Sequence, residues 1–309
     1  MIHVIDVQSR ATIQDLGRLG LRRFGISQCG AMDKLALRAG NILLGNAEDA
    51  PTIEVPLGGI TLQFQQDMNF CVTGAFYEMT LDDKPVFAYW RYQARAGQVL
   101  KMIRAKIGMY GYLCVQGGFL LPKELNSCST DLRAQIGGME GRGLQAGDQL
   151  QTVNDPILRS EIGIAPIPLK HTIHALPSSE YQAFKRKSQY YWWRSKWTLQ
   201  SSSDRMGYRF QGQKLELKQP LEMLSHAIQF GSVQVPPSGQ PIILMADAQT
   251  TGGYPKIANV IDADLGALAQ VRLGSTIQFE AINLEQAAKL RRKNEIYLDQ
   301  IRRIVDEKN

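Results

Sequence analysis

Four stretches of the 309-residue chain crowd hydrogen-bonding side chains among glycines, and each has the composition of an anion-holding site. In ADAQTTGGYP, Asp247, Gln249, Thr250, Thr251 and Tyr254 flank Gly252 and Gly253, whose unshielded backbone N–H groups suit an anion or a developing oxyanion. The plainer reading of that stretch is a tight hairpin. In SSSDRMGYRFQG (201–212), Arg205 and Arg209 stand four apart, and guanidinium groups match carboxylates and phosphates in forked pairs. An ion pair at the surface is the equal alternative. ATIQDLGRLGLRRFGISQCGAMDK (11–34) gathers Gln14, Asp15, Arg18, Arg22, Arg23, Ser27 and Asp33, more polar groups than a strand needs; a surface loop ending in a helix cap at Asp33 is the other option. NSCSTDLRAQIGGMEGRGL (126–144) supplies Ser127, Ser129, Thr130, Asp131, Arg133 and Arg142, although serine and threonine at turns often bond only their own backbone.

Other chemistries lose support. No GxxxxGK[ST] loop, strand-borne GxGxxG or GxSxG elbow is present. Cys29, Cys71, Cys114 and Cys128 lie far apart without a CxxC pair, so they read as buried, idle thiols. His171 and His174 form an H-x-x-H pair with no third ligand nearby, and no metal cage is assigned to the histidines. The formal charge is +6, with the excess at Lys185–Lys187 and at Lys289–Lys293 with Arg302 and Arg303, which read as solvated helix faces and not as a nucleic-acid surface. With 44% hydrophobic and 21% charged residues, no membrane-length apolar run and no secretion-type start, the expectation is a cytoplasmic globular protein.

The elements that must position these residues are mostly strands. TLQFQQDMNFCVTG (61–74) and QVLKMIRAKIGMYGYLCVQGG (98–118) are rich in β-branched and aromatic residues and end in glycine, and Asp82–Lys84 marks a turn. Helices are expected at 33–46, with Asp33 as cap, at 178–189, and at 283–305, where Asn283 and Gln286 have capping-box spacing. Three prolines and lost periodicity across 153–170 divide the chain into domains at 1–155 and 165–309, each strand-rich and barrel-like, with the last helix in the second. RAGQVLKMIRA, QAGDQLQTV and RLGSTIQFEAI share one cadence, a glycine turn before a strand.

TIQDLGRLGLRRFGISQCGAMD, NILLGNAEDAPTIEVPLGG, SCSTDLRAQIGGMEGRGL, SDRMGYRFQG and GSVQVPPSGQPIILMADAQTTGGYPKIA, in this order, resemble the biotin-dependent carboxyltransferase-like family, also described as the allophanate hydrolase subunit 2 family. The chain is most similar to the branch that serves bacterial ATP-dependent 5-oxoprolinases. The resemblance implies a mainly β fold of two cyclophilin-like β-barrel domains with a few short helices and a C-terminal helix. It further implies work with two companion components of the 5-oxoprolinase, designated B and A, to open 5-oxoproline to glutamate at the expense of ATP and Mg²⁺. There is no AMKM-like biotinylation site, and Leu100–Met102 reads as strand, so no covalently attached biotin is expected. On the implied chemistry Asp33, Gln249, Thr250 and Tyr254 are the candidate catalytic residues. Arg18, Arg205, Arg209, Thr251, Gly252 and Gly253 are candidates for holding a carboxylate or phosphate, and Asp247 is the candidate Mg²⁺ ligand, with Asp33 as its alternative. These groups are expected to line a crevice where the two barrels meet. A carboxyltransferase acting on urea or another amide, and a regulatory protein that antagonises a kinase inhibitor, are the alternatives.

Overall fold

The computed structural model describes residues 1–153, 155–158 and 161–308. It forms two compact units, one of Met1–Arg18, Cys29–Pro168 and Asn294–Asn309, the other of Leu19–Gln28 and Leu169–Lys293. The chain changes unit at Pro168/Leu169, inside the proline-rich segment; Asn154, Arg159 and Ser160 of that segment lie outside the described residues.

In the first unit the strands are β1 (Ile2–Val7), β2 (Thr12–Gln14), β3 (Thr52–Pro56), β4 (Ile60–Phe64), β5 (Met68–Leu81), β6 (Lys84–Pro85), β7 (Arg91–Ala94), β8 (Val99–Val115) and β9 (Gln149–Leu150), with helix α1 at Lys34–Leu43. They make one nine-stranded sheet in the order β2-β3-β8-β4-β1-β9, with β5 running antiparallel along β8 from Phe70↔Val115 to Leu81↔Leu100. The path ends at β2 and β9 without closing, so this unit is a half-barrel. β5 is buried on both faces over its first half because α1 covers it: Thr73 Oγ1 donates to Ala36 O (2.7 Å). Asp33 caps α1 as expected, Oδ1 accepting from the Ala36 N–H.

In the second unit β10 (Thr172–Pro177), β11 (Trp197–Leu199), β12 (Gly207–Gln211), β14 (Ser232–Gln234), β15 (Ile242–Leu244), β17 (Lys256–Val260) and β18 (Thr276–Ala281) close a barrel. The parallel β10–β18 pair is part of the closure. β13 (His226–Ala227) and β16 (Thr251–Gly252) form a separate two-stranded ladder. Trp192 and Trp197 are fully buried, Trp192 stacking on Phe279 at 4.2 Å, so this aromatic group fills the core; only its neighbour Tyr190 faces outward.

The helices depart from expectation at three points. Instead of starting at Ser178, α2 occupies Arg186–Arg194, because the buried Phe184 and the Lys185 that follows it are extended, and the Lys185 N–H pairs with Glu216 O. α3 (Asp262–Ala269) was not foreseen; its buried Asp264, Leu268 and Ala269 make no apolar stripe that a sequence would show. α4 (Leu284–Lys308) has the expected reciprocal cap, with Asn283 and Gln286 exchanging bonds of 2.8 and 2.9 Å. The helix was expected to belong to the second domain; its residues up to Lys293 fall in the second unit, and those from Asn294, including the buried Leu298, Ile301 and Val305, fall in the first.

Candidate functional site

Two of the polar stretches meet inside the first unit. The Asp15 carboxylate, just past β2, accepts from Gly17 N–H (2.7 Å), Ser127 Oγ (2.6 Å), Cys128 N–H (2.6 Å) and Ser129 Oγ (2.5 Å). The serines therefore do more than bond their own backbone: Ser127 reaches a carboxylate 112 positions away. Burial and the charge of Asp15 push the Cys128 thiol up to about 11, which keeps it protonated and idle.

This knot holds Arg18 in place. Arg18 is 1% exposed, and its Nη2 donates to Ser129 O (2.6 Å), while Nε and Nη1 are buried without a partner. Thr130 Oγ1 and Gln14 Oε1, from the same two stretches, are likewise unpartnered. Gly137, at φ +73°, lies over the guanidinium so closely that a Cβ there would collide with Arg18 Nη2 and Ser129 O. The guanidinium is thus buried with two nitrogens unused, beside two further oxygens without partners.

Asp33 belongs to a second buried cluster of this unit. Its N–H donates to the Tyr112 oxygen (2.7 Å), and the Tyr112 hydroxyl donates to Glu54 Oε2 (2.9 Å), which also accepts from Met32 N–H (2.9 Å). Burial first, and then the charges of Glu54 and Asp33, push the Tyr112 phenol well up, so it stays a donor. Asp33 serves as the helix cap that the plainer reading allowed.

The remaining candidates lie in the second unit. Arg205 and Asp247 form a forked pair, Nε to Oδ2 at 2.8 Å and Nη2 to Oδ1 at 2.7 Å. This corrects Asp247 as a Mg²⁺ ligand, since both its oxygens already accept from a guanidinium, and it gives Arg205 the ion-pair role. Among the described residues no three His, Cys, Asp or Glu side chains gather as a metal cage. Asp247, paired in this way, does not fit Mg²⁺. Arg209 is exposed on β12. Gln249, Thr251 and Tyr254 are exposed, with Thr250, Gly252 and Gly253 half-buried beside them. The stretch is a ladder strand and not a bare loop: Thr250 O accepts from Ile228 N–H (3.1 Å), and His226 pairs with Gly252. Arg22 anchors it by donating to Ile228 O and Gln249 O (3.1 Å), and Ser27 Oγ donates to Ala248 O (3.2 Å).

Residues 24–281 match the family of the carboxyltransferase domain, subdomain A and B. A Haemophilus influenzae protein named as the C subunit of 5-oxoprolinase is 89% identical over 309 residues, 100% of each chain. The chain belongs to this carboxyltransferase-domain family, among its 5-oxoprolinase members. The Escherichia coli K12 protein of the same name is 47% identical over 307 residues, 97% of each chain. The crystal structure of the Kluyveromyces lactis urea amidolyase is similar with a TM-score of 0.90 and 25% identity, over 97% of this chain and 20% of that one.

Lys256, His226, Glu180 and Gln234 form a further polar cluster of the second unit, which the sequence did not bring together. Lys256 begins β17 and is 8% exposed; its ammonium donates to Glu180 Oε2 (2.9 Å) and to His226 Nε2. Burial, the largest influence, raises the Glu180 carboxyl, but hydrogen bonds from Ser179 and Lys256 outweigh it and leave the group below the usual range. One signal was available: a lysine directly after the Gly-Gly-Tyr-Pro stretch, at the start of a buried strand, requires a partner.

Proposed function

We propose that the chain is the C component of an ATP-dependent 5-oxoprolinase, which together with a B component and an A component opens 5-oxoproline to L-glutamate. The full-length likeness to a protein named as the C subunit of 5-oxoprolinase carries this reading. The five-membered lactam resists water through amide resonance, so its opening must be driven. Transfer of the γ-phosphoryl group of ATP to the amide oxygen releases ADP and leaves an imidate-like phosphate. Water then adds at the ring carbon, the ring nitrogen takes a proton as the C–N bond breaks to leave an acyl phosphate, and a second water releases phosphate and leaves the side-chain carboxylate of glutamate. In such a transfer the protein's work is positioning and charge stabilisation. Arg18 suits that work: its fixed, water-excluded nitrogens need no reorganisation to meet an anionic oxygen of either substrate.

The likeness to a urea amidolyase favours one second reading, a carboxyltransferase that passes a carboxyl group to urea from biotin carried by another protein. The chain co-purified with its B and A partners is expected to release phosphate from ATP only when 5-oxoproline is added and to form glutamate in equal amount. Release stimulated by urea and biotin carrier, with none from 5-oxoproline, would select the second reading instead.

A further inference from the structure

We propose that the β13–β16 ladder covers a carboxylate-binding recess made by Lys256 and Gln234, and that this recess takes the carboxylate of the lactam acid. The inference rests on the function proposed above for the identity of the acid and on its own geometry for the recess. Gln234 on β14 and Lys256 on β17 are cross-strand partners, so their side chains rise side by side from one face of the barrel. His226 and Gly252 are partners in the ladder. Lys256 meets His226, and the Gln234 amide meets Gly252: a Cβ at Gly252 would stand 2.5 Å from Gln234 Nε2. A side chain at that position would push the amide aside.

Two features mark the recess as built for a ligand. Gln234 is 3% exposed, and its Nε2 is buried without an acceptor, an arrangement that folding alone penalises. The ammonium of Lys256 has three protons, of which Glu180 takes one and His226 another. His226 Nδ1 lies 3.2 Å from Leu224 O, which assigns the ring proton to Nδ1 and leaves the Nε2 lone pair facing the ammonium. The imidazole thus stands where an anionic oxygen would sit. The cover is slight: each strand of the ladder is two residues long, and Leu224, two residues ahead of His226, is 92% exposed.

Charge fixes the class of ligand. Arg22 binds the ladder through the carbonyls of Ile228 and Gln249 and makes no ion pair with a carboxylate among the described residues. Arg22 and Lys256 against Glu180 leave one positive charge in excess, which a monoanionic carboxylate balances and a phosphate dianion would overturn. One lysine N–H and the Gln234 N–H₂ form a fork of donors for its two oxygens.

Gln234→Met is the decisive variant, because it removes a donor that has no acceptor in the free chain while keeping the volume. Its melting temperature is expected to equal or exceed that of the parent. In the complex with the B and A components, KM for L-5-oxoproline is expected to rise about tenfold with kcat within about twofold. Selectivity over 2-pyrrolidinone, the same ring without a carboxylate, should fall by the same factor. Calorimetric titration of both lactams into the purified chain reads the recess without turnover. Should the parent complex fail on 5-oxoproline while the chain still binds it in a Gln234-dependent way, the functional reading falls and the recess stands. An unchanged KM and unchanged binding in Gln234→Met, or a lowered melting temperature with unchanged KM, would overturn the recess. Lys256→Met is expected to act in the same direction more strongly, at some loss of stability through the orphaned Glu180.

Discussion

Arg18 shows how a residue can be placed against its own stability. Its guanidinium is buried with Nε and Nη1 unpartnered, so the folded chain carries a desolvated charge at a cost in stability, and on the function proposed above an anionic oxygen is its partner. Arg18→Met should therefore keep or raise the melting temperature of the chain alone, while 5-oxoproline-dependent phosphate release by the complex drops about 100-fold or more, the usual effect of removing a preorganised donor to a developing charge. Parallel losses of stability and turnover would reduce Arg18 to a packing residue. Asp15 is the converse case. Its two oxygens accept four donors, so Asp15→Asn, which turns one acceptor into an N–H₂ facing donors, should lower stability in urea unfolding by about 2–4 kcal/mol. The sequence made both residues visible as a polar density. It could not show that Ser127 and Ser129 close on Asp15 and not on their own turn, because that depends on a meeting across more than a hundred positions.

Among the elements, α4 is tied to α1 by charges. Arg38 on α1 donates to both oxygens of Glu295 (2.7 and 2.9 Å) and to Glu48 (2.6 Å), and Glu48 also receives Arg302. Burial is the largest influence on Glu48 and raises its carboxyl, yet the hydrogen bonds from Arg302 and Arg38 outweigh it and hold the group below the usual range. A carboxyl lowered by folding contributes stability above its unfolded pKa of about 4.3 and loses it as pH falls through the folded value. Because these side chains are about a third exposed, solvent screening limits the effect, and Glu48→Gln should cost about 1 kcal/mol at neutral pH. The gap should narrow as pH falls through the lowered folded value and the parent carboxyl is itself protonated; urea unfolding across a series of acid pH values reads it. A constant gap would mean that Glu48 acts by shape and not by charge. The helix itself was legible, since Asn283 and Gln286 form a local cap, but its attachment was not: Arg38 and Glu295 are 257 positions apart.

For the whole molecule, the strand-rich reading held where glycine turns set the strands locally: Gly97, Gly147 and Gly274 all take positive φ just ahead of β8, β9 and β18. Closure was not local. The second unit closes through β10 and β18, about a hundred residues apart in the chain, whereas the first ends open at β2 and β9, and nothing in either half's composition distinguishes the two outcomes. No helix among the described residues is long and apolar enough to cross a membrane. Net charge behaves differently again, because its sum of +6 says less than its neighbours do. Lys185 is paired with Glu216 (2.9 Å), Lys187 lies over the Tyr191 ring, Lys289 is paired with Glu285 (2.7 Å) and Arg302 reaches Glu48. Four of the nine cations in the two basic stretches thus have local partners, which weakens their attraction for a phosphate backbone at physiological salt. A fluorescent single strand of roughly 20 nucleotides should show no saturable anisotropy change below about 10⁻⁴ M protein at about 150 mM salt. Tighter binding that falls steeply as salt rises would require the unpaired members, Arg291, Arg292 and Arg303 on α4, to act together as a phosphate-binding face.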